Sequence, residues 1–274
     1  MGNCIFCAGG RSNEHIIAQW LIRDAELDKH PLKIGFGAAQ GGRYELVDDD
    51  LKIRKFLTTS VCETCNNGWM SRLENTAKQA LTPLLQPNWP VLDIEPLEAL
   101  LPFCRDLALW MLKTAVTFGE KMSVRIPNYI KQDLPKGIIR PAVVLDLACS
   151  ELSCPFLRMT NQWTVVVDGQ QDVRQNPDSF RLTWQIRHLV LRVSYFPYTE
   201  RLQLNPRYPV VLYPYPVFRI PPNYDDRRPS GLWVRKKRYV YSNVKQFEDE
   251  TTYQKTGCLD PVRDAWLNPL YKPW

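Results

Sequence analysis

Two cysteine pairs and one acid–histidine doublet are the residues of this 274-residue chain whose types and spacing could do chemistry. Cys4 and Cys7 form one C-x-x-C pair, and Cys62 and Cys65 form the other. This spacing lets two thiolates bind one metal ion from a tight turn, and two such turns supply the four ligands of a closed zinc site. Because Glu14-His15 lies between the pairs, the arrangement predicts an active site held by zinc.

The doublet carries groups suited to phosphodiester hydrolysis, which needs an activated water and a cation to neutralise charge on the phosphate. Since the unperturbed pKa of histidine is roughly 6.5, His15 can be neutral at pH 7 and accept a proton from water. Glu14 offers a carboxylate oxygen to a hard ion such as Mg²⁺, and Asn66 offers an amide oxygen as a second ligand. Asn67 and Glu74, seven residues apart on a helical face, are alternatives to Asn66 as metal ligands. The asparagines could also serve as helix caps.

The composition is that of a globular protein, with 45% hydrophobic and 11% aromatic residues. No apolar run approaches the roughly 20 residues that span a bilayer, and the N-terminus lacks the features of a secretory signal. We therefore expect a cytoplasmic protein with no membrane partner. In that reducing compartment, paired C-x-x-C elements are more typical of zinc ligands than of disulfides. Buried or free thiols are expected at the remaining cysteines, Cys104, Cys149, Cys154 and Cys258.

Charge is distributed unevenly along the chain. Residues 1–98 carry 10 Lys+Arg and 13 Asp+Glu, a net of −3, and the remainder carries 25 and 16, a net of +9. Because Lys and Arg contacts to phosphate dominate nucleic-acid affinity, the basic part is expected to hold a polyanionic substrate. Its most basic run is Arg235, Lys236, Lys237 and Arg238, flanked by aromatic residues. That run fits a nucleic-acid contact or a solvated edge strand equally well.

Periodicity predicts helices in the first half of the chain. Apolar spacing indicates helices over 16–27, from Cys65 to the prolines at 87 and 90, and over about 102–118. The last is so broadly apolar that it should be mostly buried. The doublet is expected at the entrance to the first helix. The glycine-rich segment 28–50 suits a loop or small hairpin, and alternation over 51–59 suggests a strand before the second cysteine pair.

Strands are predicted after residue 140, at 142–148, 163–167, 180–196, 208–213 and 232–241. Within 180–196 the apolar positions change from even to odd near Arg187-His188, which predicts a bulge or a tight turn. His188 and His30 have no motif around them and are expected to be structural or solvated.

Taken together, Cys4-x-x-Cys7, Glu14-His15-Ile16 and Cys62-x-x-Cys65-Asn66 resemble the four-cysteine branch of the HNH endonucleases, whose core is a ββα-metal finger. The resemblance covers roughly residues 3–80, and three ordered elements are more specific than any one alone. It implies an α+β fold in which residues 1–86 form a zinc-stapled HNH nuclease domain. A linker near 86–96 would join it to residues 97–274, a helix-plus-β-sheet body that binds substrate or a partner.

The resemblance also implies roles for individual residues. Glu14 and Asn66 would bind a catalytic Mg²⁺ or Mn²⁺, His15 would be the general base, and the four cysteines would bind a structural zinc. The chain has no asparagine between Ile16 and Ser60, where the family's central asparagine would lie, so Asn66 or Asn67 would have to serve instead.

The activity implied is that of a metal-dependent endonuclease, which hydrolyses phosphodiester bonds in DNA and leaves a 5′-phosphate. One site cuts one strand, so double-strand cleavage would need a homodimer or two encounters. A second interpretation is a zinc-stapled nucleic-acid-binding protein without cleavage activity. A third is a nuclease effector of bacterial anti-phage defence that a regulatory protein partner holds inactive.

Overall fold

A computed structural model gives the fold of this chain. It describes residues 3–7, 9–10, 12–29, 33–38, 45–48, 57–85, 100–140, 143–150, 156–161, 164–166, 173–175, 178–195, 210–212, 232–233 and 240–241. The predicted linker, the basic run at 235–238 and His30 lie outside these residues.

Helices and strands are both abundant, which confirms the expected α+β class. The helices are α1 (Gln19–Asp24), α2 (Glu63–Cys65), α3 (Ser71–Leu81), α4 (Cys104–Lys121) and α5 (Asn128–Asp133), and a wide π-helical turn, Asn66–Met70, joins α2 to α3. The strands are β1 (Ser12–His15), β2 (Lys33–Ala38), β3 (Glu45–Asp48), β4 (Leu57–Val61), β5 (Val143–Ser150), β6 (Phe156–Asn161), β7 (Thr164–Val166), β8 (Val173–Gln175), β9 (Phe180–Ile186), β10 (Leu189–Tyr195), β11 (Val210–Leu212), β12 (Leu232–Trp233) and β13 (Val240–Tyr241). Within the described part of the chain, every helix is too short or too polar to cross a membrane.

Strands β1 and β4 form a small antiparallel sheet that leads into the second cysteine pair. Ser12 pairs with Val61 and Glu14 pairs with Thr58, so two steps along β1 match three steps along β4. Such a bulge redirects the side chains that follow it, and here it directly precedes His15. The doublet therefore ends a strand and does not open a helix, so the expectation that it lies at the entrance to α1 is corrected.

A nine-stranded sheet is the largest element of the described structure, with the order β12-β11-β5-β10-β9-β6-β2-β3 and β13 paired to β5. The segment 28–50, expected to be a loop or a small hairpin, contains β2 and β3, which pair antiparallel. Strand β2 also pairs in parallel with β6, far along the chain. The predicted regions 1–86 and 97–274 therefore contribute strands to one sheet.

Helix α4 lies at the centre of the fold. It packs on β5, β9 and β10 on one side and on α3 on another, so every residue from Leu107 to Gly119 is buried. Its Trp110 stacks on Trp184 of β9, with ring centroids 5.2 Å apart and an angle of 26° between the planes. The prediction of a mostly buried helix near 102–118 is confirmed.

The change of apolar phase in 180–196 coincides with a tight turn between β9 and β10. Arg187 occupies the turn with φ of 54°, and its Nε donates a hydrogen bond to Ala25 O at 3.1 Å, which links the turn to the end of α1. His188 Nδ1 lies 2.8 Å from Ser150 O. The predicted turn is confirmed, and His188 has a structural contact.

The strand predicted over 232–241 is described only at its two ends. β12 pairs with β11, whereas β13 pairs in parallel with β5. A single straight strand cannot make both pairings, so the two described ends do not belong to one straight strand.

We expect Trp184→Ala to lower the free energy of unfolding by about 3–5 kcal/mol, because it removes a fully buried ring from between α4 and the sheet. Chemical denaturation followed by circular dichroism measures the change. Ile138→Ala is the matched control: Ile138 is 48% exposed, and its truncation should change the free energy of unfolding by no more than about 0.5 kcal/mol. Equal effects of the two substitutions would contradict the packing of this core.

Candidate metal centre

Two turns bring the four cysteines of the C-x-x-C pairs together. Their Sγ atoms all lie within 4.8 Å of one another, with Cys7 Sγ 3.4 Å from Cys62 Sγ and 3.6 Å from Cys65 Sγ. Around a tetrahedral zinc ion with Zn–S bonds of about 2.3 Å, sulfurs lie about 3.8 Å apart. The cluster therefore needs only a small adjustment of the sulfur positions to hold a metal ion such as zinc, as the spacing predicts.

Backbone N–H groups point at three of the four sulfurs. The donor–acceptor pairs, each at 3.4 Å, are Phe6 N to Cys4 Sγ, Gly9 N to Cys7 Sγ and Cys65 N to Cys62 Sγ. Such hydrogen bonds favour the thiolate, which is the form that binds metal. The backbone of Gly9 also lies close to the sulfur cluster, since a Cβ atom at this position would lie 3.2 Å from Cys62 Sγ.

The thiols of the cluster differ in acidity. Burial opposes ionisation of Cys62, but the N–H of Cys65 and the neighbouring thiols outweigh it and lower the pKa of Cys62 to about 7. Burial raises the pKa of the Cys65 thiol well above its ordinary value. The pKa of Cys62 thus lies below those of Cys7 and Cys65, and a bound metal ion would have to displace the proton of Cys65.

Each cysteine turn is closed by its own backbone, and an aromatic pair joins the two turns. Cys4 N donates to Gly9 O at 2.9 Å, and Asn66 N donates to Cys62 O at 3.0 Å. The ring of Phe6 meets that of Trp69 edge to face, with centroids 5.0 Å apart and planes at 88°. The first turn is therefore fixed against the π-helical turn that leads into α3.

His15 ends β1, opposite Leu57 of β4, with a half-buried ring. Its Nδ1 atom is buried and has no hydrogen-bond partner among the described residues. Burial lowers the pKa of His15 below its ordinary value, and the carboxylate of Glu74 acts in the opposite direction. The ring is therefore mainly neutral at pH 7, as a general base must be.

Glu74 of α3 forms an ion pair with the central helix α4. Its Oε1 accepts a hydrogen bond from Lys113 Nζ at 2.8 Å, and the side chains are 21% and 1% exposed respectively. Lys113 belongs to α4, so the ion pair crosses the contact between α3 and α4.

The structure brings some of the predicted site residues together and leaves others untested. The four cysteines converge, and the carboxylate of Glu74, an alternative ligand in the sequence, acts electrostatically on His15. Asn66 opens the π-helical turn with a half-buried side chain, and Asn67 is exposed. The side chain of Glu14 and the run at 235–238 lie outside the described residues.

Lys113 is a buried charge that motif reasoning misses. The signal for it is a lysine in the middle of a helix that is apolar on all sides, because a buried ammonium group requires a compensating charge. Sequence alone does not identify that partner, which lies 39 residues earlier on another helix.

Comparison of the chain with protein-family models, with characterised proteins and with solved structures finds no match, so the candidate site rests on its own residues and geometry.

Proposed function

We propose that this protein is a metal-dependent endonuclease of the HNH type that hydrolyses phosphodiester bonds in DNA. The observation that carries the proposal is the convergence of the two cysteine pairs. One pair precedes β1, which ends in His15, and the other precedes α3. A metal ion on the four sulfurs would therefore fix the histidine strand beside that helix. The chain order of β1, β4 and α3 supports the proposal, because a ββα-metal finger needs two strands followed by a helix.

The proposed chemistry divides between two kinds of metal site. The four clustered cysteines, of which Cys4, Cys62 and Cys65 are buried and Cys7 is exposed, suit a closed structural zinc. The carboxylate of Glu14 and the amide oxygen of Asn66 would suit Mg²⁺ or Mn²⁺, which, when bound, neutralises charge on the phosphate. His15 accepts the proton of the attacking water, and its burial keeps the ring unprotonated near neutral pH.

A plasmid assay tests the proposal. The zinc-loaded protein is incubated with supercoiled plasmid and Mg²⁺ or Mn²⁺, and conversion to the nicked circle is followed by gel electrophoresis. Nicking should require the divalent ion and stop when it is chelated. Folded, zinc-loaded protein that leaves plasmid and single-stranded DNA intact under both ions would overturn the proposal.

The pH dependence of nicking provides a further prediction. Only unprotonated His15 can act as a base, so the rate should rise with pH through the pKa of His15 and then level off. Because burial lowers that pKa below the ordinary value of 6.5, the plateau should begin at a lower pH than for a solvent-exposed histidine. Initial nicking rates at constant ionic strength measure the profile, and a midpoint above 6.5 would contradict it.

A second candidate is a zinc-stapled nucleic-acid-binding protein without cleavage activity. The observation in its favour is that, in the described part of the chain, the cysteine cluster is the one group of residues that could hold a metal. Such a binder should bind zinc alone and shift labelled DNA in a gel without cutting it. Binding of Mn²⁺ that is lost in Glu14→Gln would exclude this candidate.

A further inference from the structure

Two arginines are held on one surface of the protein by a single tyrosine and a single aspartate. The guanidinium carbon of Arg140 lies 4.5 Å from the ring centroid of Tyr129, a residue of α5. The hydroxyl of Tyr129 donates a hydrogen bond to Asp178 Oδ2 at 3.3 Å, and Arg125 Nη2 donates one to Asp178 Oδ1, also at 3.3 Å. Only two side chains therefore separate the guanidinium groups of Arg125 and Arg140.

The tyrosine that connects the two arginines is itself held by the end of the large sheet. Tyr195, the last residue of β10, is buried, and its hydroxyl donates a hydrogen bond to the Tyr129 hydroxyl at 3.3 Å. The two rings also meet edge to face, with centroids 6.2 Å apart. The position of Tyr129, and with it the position of both arginines, is thus set by the rigid part of the fold.

Both arginines have a carboxylate partner, but the arginine is the more exposed member of each ion pair. The side chains of Arg125 and Asp178 are 70% and 27% exposed, and those of Arg140 and Asp133 are 41% and 12% exposed. The cationic groups therefore face the solvent more than the carboxylates do. Because exposed ion pairs contribute little to stability, a stabilising role alone does not explain this arrangement.

Each guanidinium group retains donors for a further ligand. Within the described part of the chain, Arg125 uses one N–H for Asp178 at 3.3 Å, and Arg140 uses one for Asp133 at 2.6 Å. A guanidinium group has five N–H donors in a planar fork that matches the oxygens of a phosphate group. The carboxylates therefore orient the two guanidinium groups and leave most of their donors available.

The segment that carries the two arginines is basic. Residues 119–140 contain five Lys+Arg and two Asp+Glu, a net of +3, whereas residues 12–29 contain two and four, a net of −2. Arg105, the second residue of α4, donates a hydrogen bond to Gly137 O at 2.8 Å, which places a third exposed arginine beside the turn after α5. Two lysines of the segment are also exposed, Lys121 and Lys136.

We propose that Arg125 and Arg140 bind phosphate groups of the DNA backbone, and that Tyr129 and Asp178 position them for this contact. Arginine contacts to phosphate are the main source of nucleic-acid affinity and carry no sequence information. This surface would therefore hold DNA of any sequence on the body of the protein. The choice of DNA as the polyanion rests on the proposed nuclease function.

Removal of the two charges, compared with a matched removal elsewhere, tests the proposal. The variant R125Q/R140Q removes two positive charges from this surface, and R23Q/K29Q removes two from the acidic segment 12–29. The control residues are also exposed members of ion pairs, and Arg23 is 71% exposed. Since both double variants have the same net charge, a difference between them reports the position of the charges.

Fluorescence anisotropy of a labelled DNA duplex measures binding to the zinc-loaded protein without Mg²⁺ or Mn²⁺, over a series of salt concentrations. Loss of two phosphate contacts should weaken binding roughly 10–100-fold at about 0.1 M salt, and should reduce the slope of log K against log[salt] by about 1.8. R23Q/K29Q should bind with the affinity and slope of the wild-type protein.

A single variant guards against misfolding. Asp133 is buried, so R140Q leaves a buried carboxylate without its partner and can destabilise the protein. Arg125→Gln alone removes an exposed side chain, and it should reduce the slope by about 0.9. Circular dichroism and zinc content show that each variant is folded.

Equal affinities and slopes for R125Q/R140Q and R23Q/K29Q would overturn the proposal, and so would a wild-type protein that does not bind the duplex at low salt. Arginine-dependent DNA binding by a protein that cuts no plasmid would support this surface and remove only the nuclease function. Plasmid nicking by an R125Q/R140Q protein with wild-type DNA affinity would remove the surface and leave the nuclease function.

Discussion

Replacement of Cys65 by serine is expected to remove bound zinc from the protein. A serine hydroxyl is a poor ligand at neutral pH, so three sulfurs would remain around the ion. Structural zinc sites in small fingers contribute apparent binding free energies of about 10–16 kcal/mol, so loss of the ion removes most of what joins the two turns. The zinc content of the purified protein, measured by elemental mass spectrometry, should fall from about one equivalent per chain to near zero. Proteolysis should then cut near residues 3–10.

Cys104→Ser is the control for this experiment. Cys104 is the first residue of α4 and is not one of the four clustered cysteines, and burial raises the pKa of its thiol. The Cys104→Ser protein should retain a full equivalent of zinc and should be cleaved by proteases no faster than the wild-type protein. A Cys65→Ser protein that also keeps a full equivalent would show that the four cysteines do not form the metal centre.

Local sequence patterns predict those parts of the fold that neighbouring residues determine. The turn at Arg187-His188 follows from the change of apolar phase, because a strand whose buried face changes must bend or reverse. The burial of α4 follows from its apolar breadth. The cysteine centre follows from spacing alone, since each C-x-x-C turn fits one metal ion whatever the rest of the chain does.

Long-range pairing is the part that the sequence leaves open. Residues 28–50 predict a hairpin, but nothing within them indicates that β2 pairs with β6, more than a hundred residues later. Similarly, 232–241 alternates like a single strand, whereas its two ends pair with different partners. In both cases register depends on which strand edges the rest of the fold leaves available.

The position of the doublet shows the same limit on a smaller scale. Ile16 and Ile17 have helical spacing with the apolar residues that follow, which predicts a helix from residue 16. Both are buried but precede α1, because pairing of His15 with Leu57 holds the chain extended up to that point. Strand pairing with β4 thus overrides local propensity and gives the histidine the rigid support of a sheet.

The substitution His15→Ala is expected to reduce divalent-dependent nicking by about 10²–10⁴-fold, the usual contribution of a general base. His15→Gln should lose nearly as much, because glutamine keeps much of the volume and hydrogen bonding but accepts no proton near neutral pH. Zinc content should be unchanged in both, since the four sulfurs supply a complete ligand set. Quantified plasmid nicking under Mg²⁺ or Mn²⁺ measures the loss.

His188→Ala is the control that isolates the role of His15. The ring of His188 contacts Ser150 O beside the β9–β10 turn, so its removal should lower stability somewhat and leave the rate per folded molecule unchanged. Equal losses in the two variants would point to destabilisation. Undiminished nicking in His15→Ala would remove this histidine from the chemistry. Loss confined to His15→Ala and His15→Gln, at full zinc content, is the result that distinguishes a nuclease from a zinc-stapled binding protein.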